Sequence, residues 1–148
     1  MIKLNRKIEY ALIVLKYMSD KLAGRRTTAK EICDQTKIPF DAASRVMQQM
    51  AQKEILRSEH GVHGGYLLIK DLYHLSLLEV IEAVSGPVEV VRCLTNEKEC
   101  EFFVKCNVMS PLKVFNDKLE VFYRSLMIAD LLQIKSQNKI NLSEVGGV

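Results

Sequence analysis

The chain has 148 residues, 48% of them hydrophobic and 26% charged, a balance that builds one ordinary core and excludes a large multidomain enzyme or a disordered chain. No apolar run approaches the roughly 20 residues that a membrane-spanning helix needs, and residues 1–5 lack a secretory pattern, so a cytoplasmic protein with no membrane partner is expected. The net charge of +3 is uneven: residues 1–70 carry 13 Lys and Arg against 7 Asp and Glu, the remainder 8 against 11, which points to a polyanion partner for the first half.

In chain order, Leu4, Ile8, Ala11, Leu12, Leu15, Met18 and Leu22 have the spacing of an amphipathic helix, predicted over residues 4–23 and stopped by Gly24. Arg25 and Arg26 follow in a loop. Thr28-Ala29-Lys30-Glu31 reads as a capping box opening a short second helix, with Ile32 turned inward and Cys33 packed beside it as a small buried residue. Lys37-Ile38-Pro39 makes a turn, because the residue before a proline avoids the helical region. A third helix, predicted over residues 41–53, has Ala43, Val46, Met47 and Met50 as its apolar stripe. Two short helices joined so closely form a helix-turn-helix.

Strand-like runs at residues 55–58 and 66–69 flank Gly61, Gly64 and Gly65, which permit positive φ in a turn. A hairpin directly after a helix-turn-helix is a wing. Leu75, Leu78 and Ile81 return to helical spacing, closed by Ser85-Gly86-Pro87. Beyond a cysteine-containing stretch, a long helix is predicted with Ser110 as N-cap and Pro111 in its first turn. Leu112, Phe115, Leu119, Phe122, Leu126 and Ala129 step along it as a heptad seam, widened by Val114, Val121 and Ile128. The expectation is a mainly α chain with a small β-wing. Residues 1–86 form a winged helix-turn-helix domain, 87–109 a cysteine loop, 110–135 a dimerisation helix and 136–148 a loose tail.

The third helix of a winged helix normally enters the major groove. Arg45 can pair with guanine O6 and N7, Gln48 or Gln49 with adenine N6 and N7, and Ser44 and Gln52 with phosphate or base. Arg57, His60 and His63 belong to the wing, and Arg25, Arg26 and Thr28 complete the candidate DNA-binding set. A merely solvated helix face is the plain alternative for each residue alone; capped helix, proline turn, polar face and glycine wing together outweigh it.

Cys93, Cys100 and Cys106 are spaced C-x6-C-x5-C. Soft thiolates suit an iron–sulfur cluster or zinc, but this spacing is unlike paired C-x2-C zinc sites, and three donors are one short of four. Reduced thiols with no ligand are the third possibility. One straight helix would separate Cys100 from Cys106 by roughly 9 Å along its axis, so residues 99–107 are expected to be bent or partly unwound when loaded. No nucleophile has an identifiable base and no glycine loop cradles phosphate, so neither an enzyme nor a small-molecule substrate is expected.

These residues resemble the winged-helix iron–sulfur transcriptional regulators of the IscR, NsrR and RirA type. The likeness runs through Leu4-Asn5 and Glu9-Tyr10-Ala11, Lys30-Glu31-Ile32 with Lys37-Ile38-Pro39, and Gly64-Gly65-Tyr66-Leu67-Leu68. It continues at residues 77–87 and at Ile128-Ala129-Asp130-Leu131-Leu132, covering about residues 1–132. The resemblance implies a homodimer, through Leu112, Phe115, Leu119, Phe122 and Leu126, on a near-palindromic double-stranded operator. It also implies a four-iron or two-iron cluster on Cys93, Cys100 and Cys106 whose state sets DNA affinity. Nitric oxide, redox state or iron supply would be the signal. Two departures stand out. His60 and His63 replace the residues usual in the wing, and Asn107 stands where IscR-type members have a histidine ligand. NsrR-like relatives take a carboxylate from the partner's first helix, and Glu9 matches that place. A metal-free DNA-binding protein, or a zinc- or thiol-based sensor, is the alternative.

Overall fold

The structure, a computed structural model, describes residues 3–94, 96 and 100–135. Helix α1 (Arg6–Ser19) starts at Asn5, whose side chain accepts from the Lys7 amide at 3.0 Å, and it buries Ile8, Ala11, Val14, Leu15 and Met18. It ends four residues short of the predicted Ala23. The chain leaves the helix at Asp20 and turns through Gly24 at φ +78°, which carries Leu22 into solvent despite its helical spacing.

Helix α2 (Ala29–Thr36) has half of the expected capping box. The Thr28 hydroxyl accepts from the Glu31 amide at 3.1 Å, but the Glu31 carboxylate faces α1, accepting from the Tyr17 hydroxyl and the Lys21 ammonium. The pairing pins the end of α1 to the start of α2. Lys37, left-handed at φ +62°, reverses the chain into α3 (Phe40–Gln52), where Ala43, Val46, Met47 and Met50 are all buried as predicted.

Strands β1 (Leu56–Glu59) and β2 (Gly65–Leu68) pair antiparallel, from Leu56 opposite Leu68 to Glu59 opposite Gly65. Thr27 extends the wing on its other side, exchanging two 2.9 Å backbone hydrogen bonds with Tyr66. Two of the three wing glycines are needed for different reasons. A Cβ on Gly64 would lie 2.8 Å from the Glu59 carbonyl oxygen, while Gly65 sits at φ +149° with the Thr27 carbonyl 3.0 Å from where a Cβ would stand.

Helix α4 (Leu77–Ser85) opens with a complete capping box between Ser76 and Glu79. Short 3-10 turns at Arg92–Leu94 and Phe103–Lys105 follow, then α5 (Met109–Ser125) and α6 (Ile128–Leu131). Helix α5 begins a residue before the predicted cap, after Val108, with no side-chain cap, so Ser110 lies inside it. The larger correction is at its other end. The predicted single helix over 110–135 stops at Ser125, because Leu126 is extended and its carbonyl accepts from the Leu77 amide at 2.7 Å. Ile128 and Ala129, predicted on the dimer seam, are instead fully buried in the core formed by α1, α3, α4 and the wing. Leu126 packs against the same core. The predicted tail at 136–148 lies outside the described residues.

Candidate nucleic-acid interface and cysteine segment

The face of α3 opposite its buried stripe presents Arg45, Gln48 and Gln52 to solvent, with Ser44 half-buried beside them. Gln48 and Gln52 line an open groove of about 430 Å³ together with Ser58, His60 and Tyr66, so the helix and the wing frame one concave surface. Tyr66 was not among the predicted contacts. Burial pushes its phenol above the usual tyrosine range, keeping it a neutral hydrogen-bonding group. Gln49 departs from its neighbours: its side-chain oxygen is buried and has no hydrogen-bond partner among the described residues, so that oxygen is withdrawn from this face.

The predicted arginines divide by role. Arg26 reaches across the wing, its Nε 2.8 Å from Glu59 Oε2 and its Nη1 donating to the His63 carbonyl at 2.6 Å. Arg57 meets the same carboxylate at 3.5 Å. Arg26 therefore braces the wing that carries His60 and His63, while Arg25 stays exposed beside the part-buried Lys21. The Thr28 hydroxyl is engaged in capping α2.

Three exposed side chains at the front of this surface escaped the sequence reading. Phe40 continues the spacing of the apolar stripe yet is 55% exposed in the first turn of α3. Arg6 and Lys7, at the start of α1, line a groove of about 250 Å³ with Tyr10, Asp41 and Arg45. Their signal was in the charge count of the first half, but nothing local tied them to α3.

In the cysteine segment, all four thiols of the chain are free and half-buried. Cys33 packs against the core as expected. Burial, and then the neighbouring Asp34, push its thiol upward against its own backbone hydrogen bond, so it is a poor thiolate. Cys100 and Cys106 flank the 3-10 turn at Phe103–Lys105, with the Phe103 amide donating to the Cys100 carbonyl at 3.2 Å. The stretch from Cys100 to Asn107 is thus not a straight α-helix; Glu99 lies outside the described residues. The segment is tied to α5 at its start, where the Val90 amide donates to Asn116 Oδ1 at 3.0 Å. Asn116 is the one buried residue of α5, and its Nδ2 donates to Glu120 at 3.0 Å.

As cluster ligands, Cys93, Cys100 and Cys106 fit by type, being uncommitted soft donors close in sequence. They do not fit by position, since among the described residues no three His, Cys, Asp or Glu side chains are grouped to hold a metal. Glu9 is paired with Arg6 at 2.9 Å on the surface of α1.

Residues 4–134 match the family model Rrf2, described as an iron-dependent transcriptional regulator. A chain from Aquifex aeolicus assigned as a helix-turn-helix transcriptional regulator is 25% identical over 138 residues, spanning 92% of this chain and 95% of its own length. The transcriptional regulator IscR of Cronobacter sakazakii is 22% identical over 142 residues, 96% of this chain and 86% of the relative. Among solved structures, CymR, the global cysteine regulator of B. subtilis, superposes with a TM-score of 0.66 at 18% identity, covering 92% of this chain and all of that one, a likeness of fold. No described helix is long and apolar enough to cross a membrane.

Proposed function

This chain belongs to the Rrf2 family of DNA-binding transcriptional regulators, and on that premise we propose that it is a dimeric regulator whose operator affinity is set by an iron–sulfur cluster. Cys93, Cys100 and Cys106 would hold the cluster, with Glu9 of the partner subunit as fourth donor once it leaves Arg6. The observation that carries the reading is chemical: three free, part-exposed thiols lie close in sequence on a stretch whose start is pinned to α5. When bound, the cluster supplies a centre that reacts with nitric oxide or oxygen and is lost when iron is scarce.

The chain's own residues do the rest. Asn116 holds the start of the cysteine segment on α5. Helix α5 in turn runs into the head, where the Leu126 carbonyl takes the Leu77 amide and Ile128 fills the core. A shift of the segment therefore moves α5 against α4 and alters the spacing of the two recognition helices, which must match groove positions about 34 Å apart. Coupling of this kind is typically worth about 1–3 kcal/mol.

Wild type and Cys100→Ala, purified and reconstituted without air, provide the test. Wild type is expected to be brown, to contain iron and sulfide, and to change operator affinity by about 5- to 150-fold on nitric oxide exposure. The variant should be pale and unresponsive. Air-free wild type that stays pale while gripping its operator normally would overturn the proposal.

The absence of any grouped donor trio among the described residues favours a second reading, a sensor that works through thiol oxidation alone. It predicts pale protein whose affinity changes with a mild thiol oxidant and recovers with dithiothreitol.

A further inference from the structure

Asp41 and Arg45 sit one turn apart on the exposed face of α3. Oppositely charged side chains four residues apart on a helix can pair, as Lys16 does with Asp20 at 2.6 Å, although among the described residues Lys30 and Asp34, Lys113 and Asp117, and Glu120 and Arg124 do not. Asp41 and Arg45 are likewise unpaired, and among the described residues no hydrogen bond or ion pair engages either side chain. Both line the groove that also receives Arg6 and Lys7.

A carboxylate on a surface that approaches a polyanion is repelled by it, unless it meets a donor there. In the major groove the base-edge donors are the amino groups of cytosine and adenine, and adenine carries the N7 acceptor beside its amino group, which repels a carboxylate. Cytosine N4 is the remaining match. We propose that Asp41 is a base-reading residue that selects cytosine in each half-site, beside a guanine taken by Arg45. Four helical residues span about 6 Å along the axis, and base pairs rise by about 3.4 Å, so the two bases lie within about two steps of each other. The inference rests on α3 being the DNA-reading helix. An acid in the first turn also favours the helix dipole, and Pro39 supplies no side-chain cap, so a purely structural role is the competing explanation.

Selection from a random duplex library, run on the full-length chain, separates them. Wild type is expected to recover half-sites with a fixed cytosine within two base pairs of a fixed guanine. Asp41→Asn should lower the cytosine preference by about 5- to 150-fold and shift it toward adenine, which an amide reads in bidentate fashion, while the guanine and the half-site spacing persist. Arg45→Ala should lose the guanine instead, and Asp41→Glu should retain the cytosine. A wild-type motif carried unchanged by Asp41→Asn overturns this inference alone and leaves the acid as a helix-end group. A wild-type pool with no common sequence overturns the reading of α3 itself, and this inference with it.

Discussion

Glu79 shows how one carboxylate contributes to the fold and when it stops. Its Oε2 accepts from the Ser76 amide at 2.8 Å and from the Ser76 hydroxyl at 3.0 Å, with Lys70 at 3.6 Å from Oε1. Burial alone would raise its pKa; the Ser76 hydrogen bonds and then Lys70 outweigh that and hold the carboxyl below its ordinary value of 4.5. A group whose folded value is depressed stabilises the fold above its unfolded value, and that stability is lost as pH falls through the folded one. Glu79→Gln is therefore expected to cost about 1 kcal/mol at neutral pH, modest because the side chain is nearly half exposed, or about 3 °C in thermal unfolding. The gap to wild type should close as the pH is lowered through the carboxylate range. Melting curves that stay a constant distance apart at every pH would show that the charge plays no part.

The elements differ in how much of them could be read in advance. The helices of the head were legible because Ile8 through Met18 and Ala43 through Met50 repeat their apolar spacing against a core that exists. Leu22 continued the first spacing with no core opposite it, and the period overshot. The same happened at Leu126, where a heptad step persists in the sequence although its carbonyl is claimed by Leu77, a contact that no local pattern encodes. Two capping patterns behaved unequally: Thr28 and Glu31 suggested a full box, but Tyr17 and Lys21 drew the carboxylate away, whereas Ser76 and Glu79 complete one. Asn116 was invisible among the apolar steps of α5, yet it ties the cysteine segment to that helix. Replacing it with alanine leaves the Val90 amide without its protein partner, a loss of about 1–3 kcal/mol when such a group stays buried. Asn116→Ala is expected to lower the melting temperature and to speed hydrogen exchange at Val90, with the α1–α3 amides still protected. Unchanged exchange at Val90 would mean that the clasp does not hold the segment.

For the molecule as a whole, α5 poses a question of balance. Apart from Asn116 it buries nothing fully, while Phe115, Phe122, Val114 and Val121 are each about half exposed or more. Leu112 and Leu119 are half-buried between them, on the seam that the heptad spacing marks. An apolar face of this size on a single helix normally has a partner, and a second copy bearing the same face would satisfy the twofold symmetry of the near-palindromic operator expected from the resemblance. Two linked heads bind their half-sites as one event, which raises affinity by about 10²- to 10⁴-fold over one head alone. Phe122→Asp, which places a charge on that seam while leaving the head core untouched, is expected to sediment as a monomer. It should keep the thermal unfolding of its head and bind operator at least about 10²-fold more weakly than wild type. A variant that remains dimeric would move the interface away from this face, and a monomer with undiminished affinity would show that one head suffices.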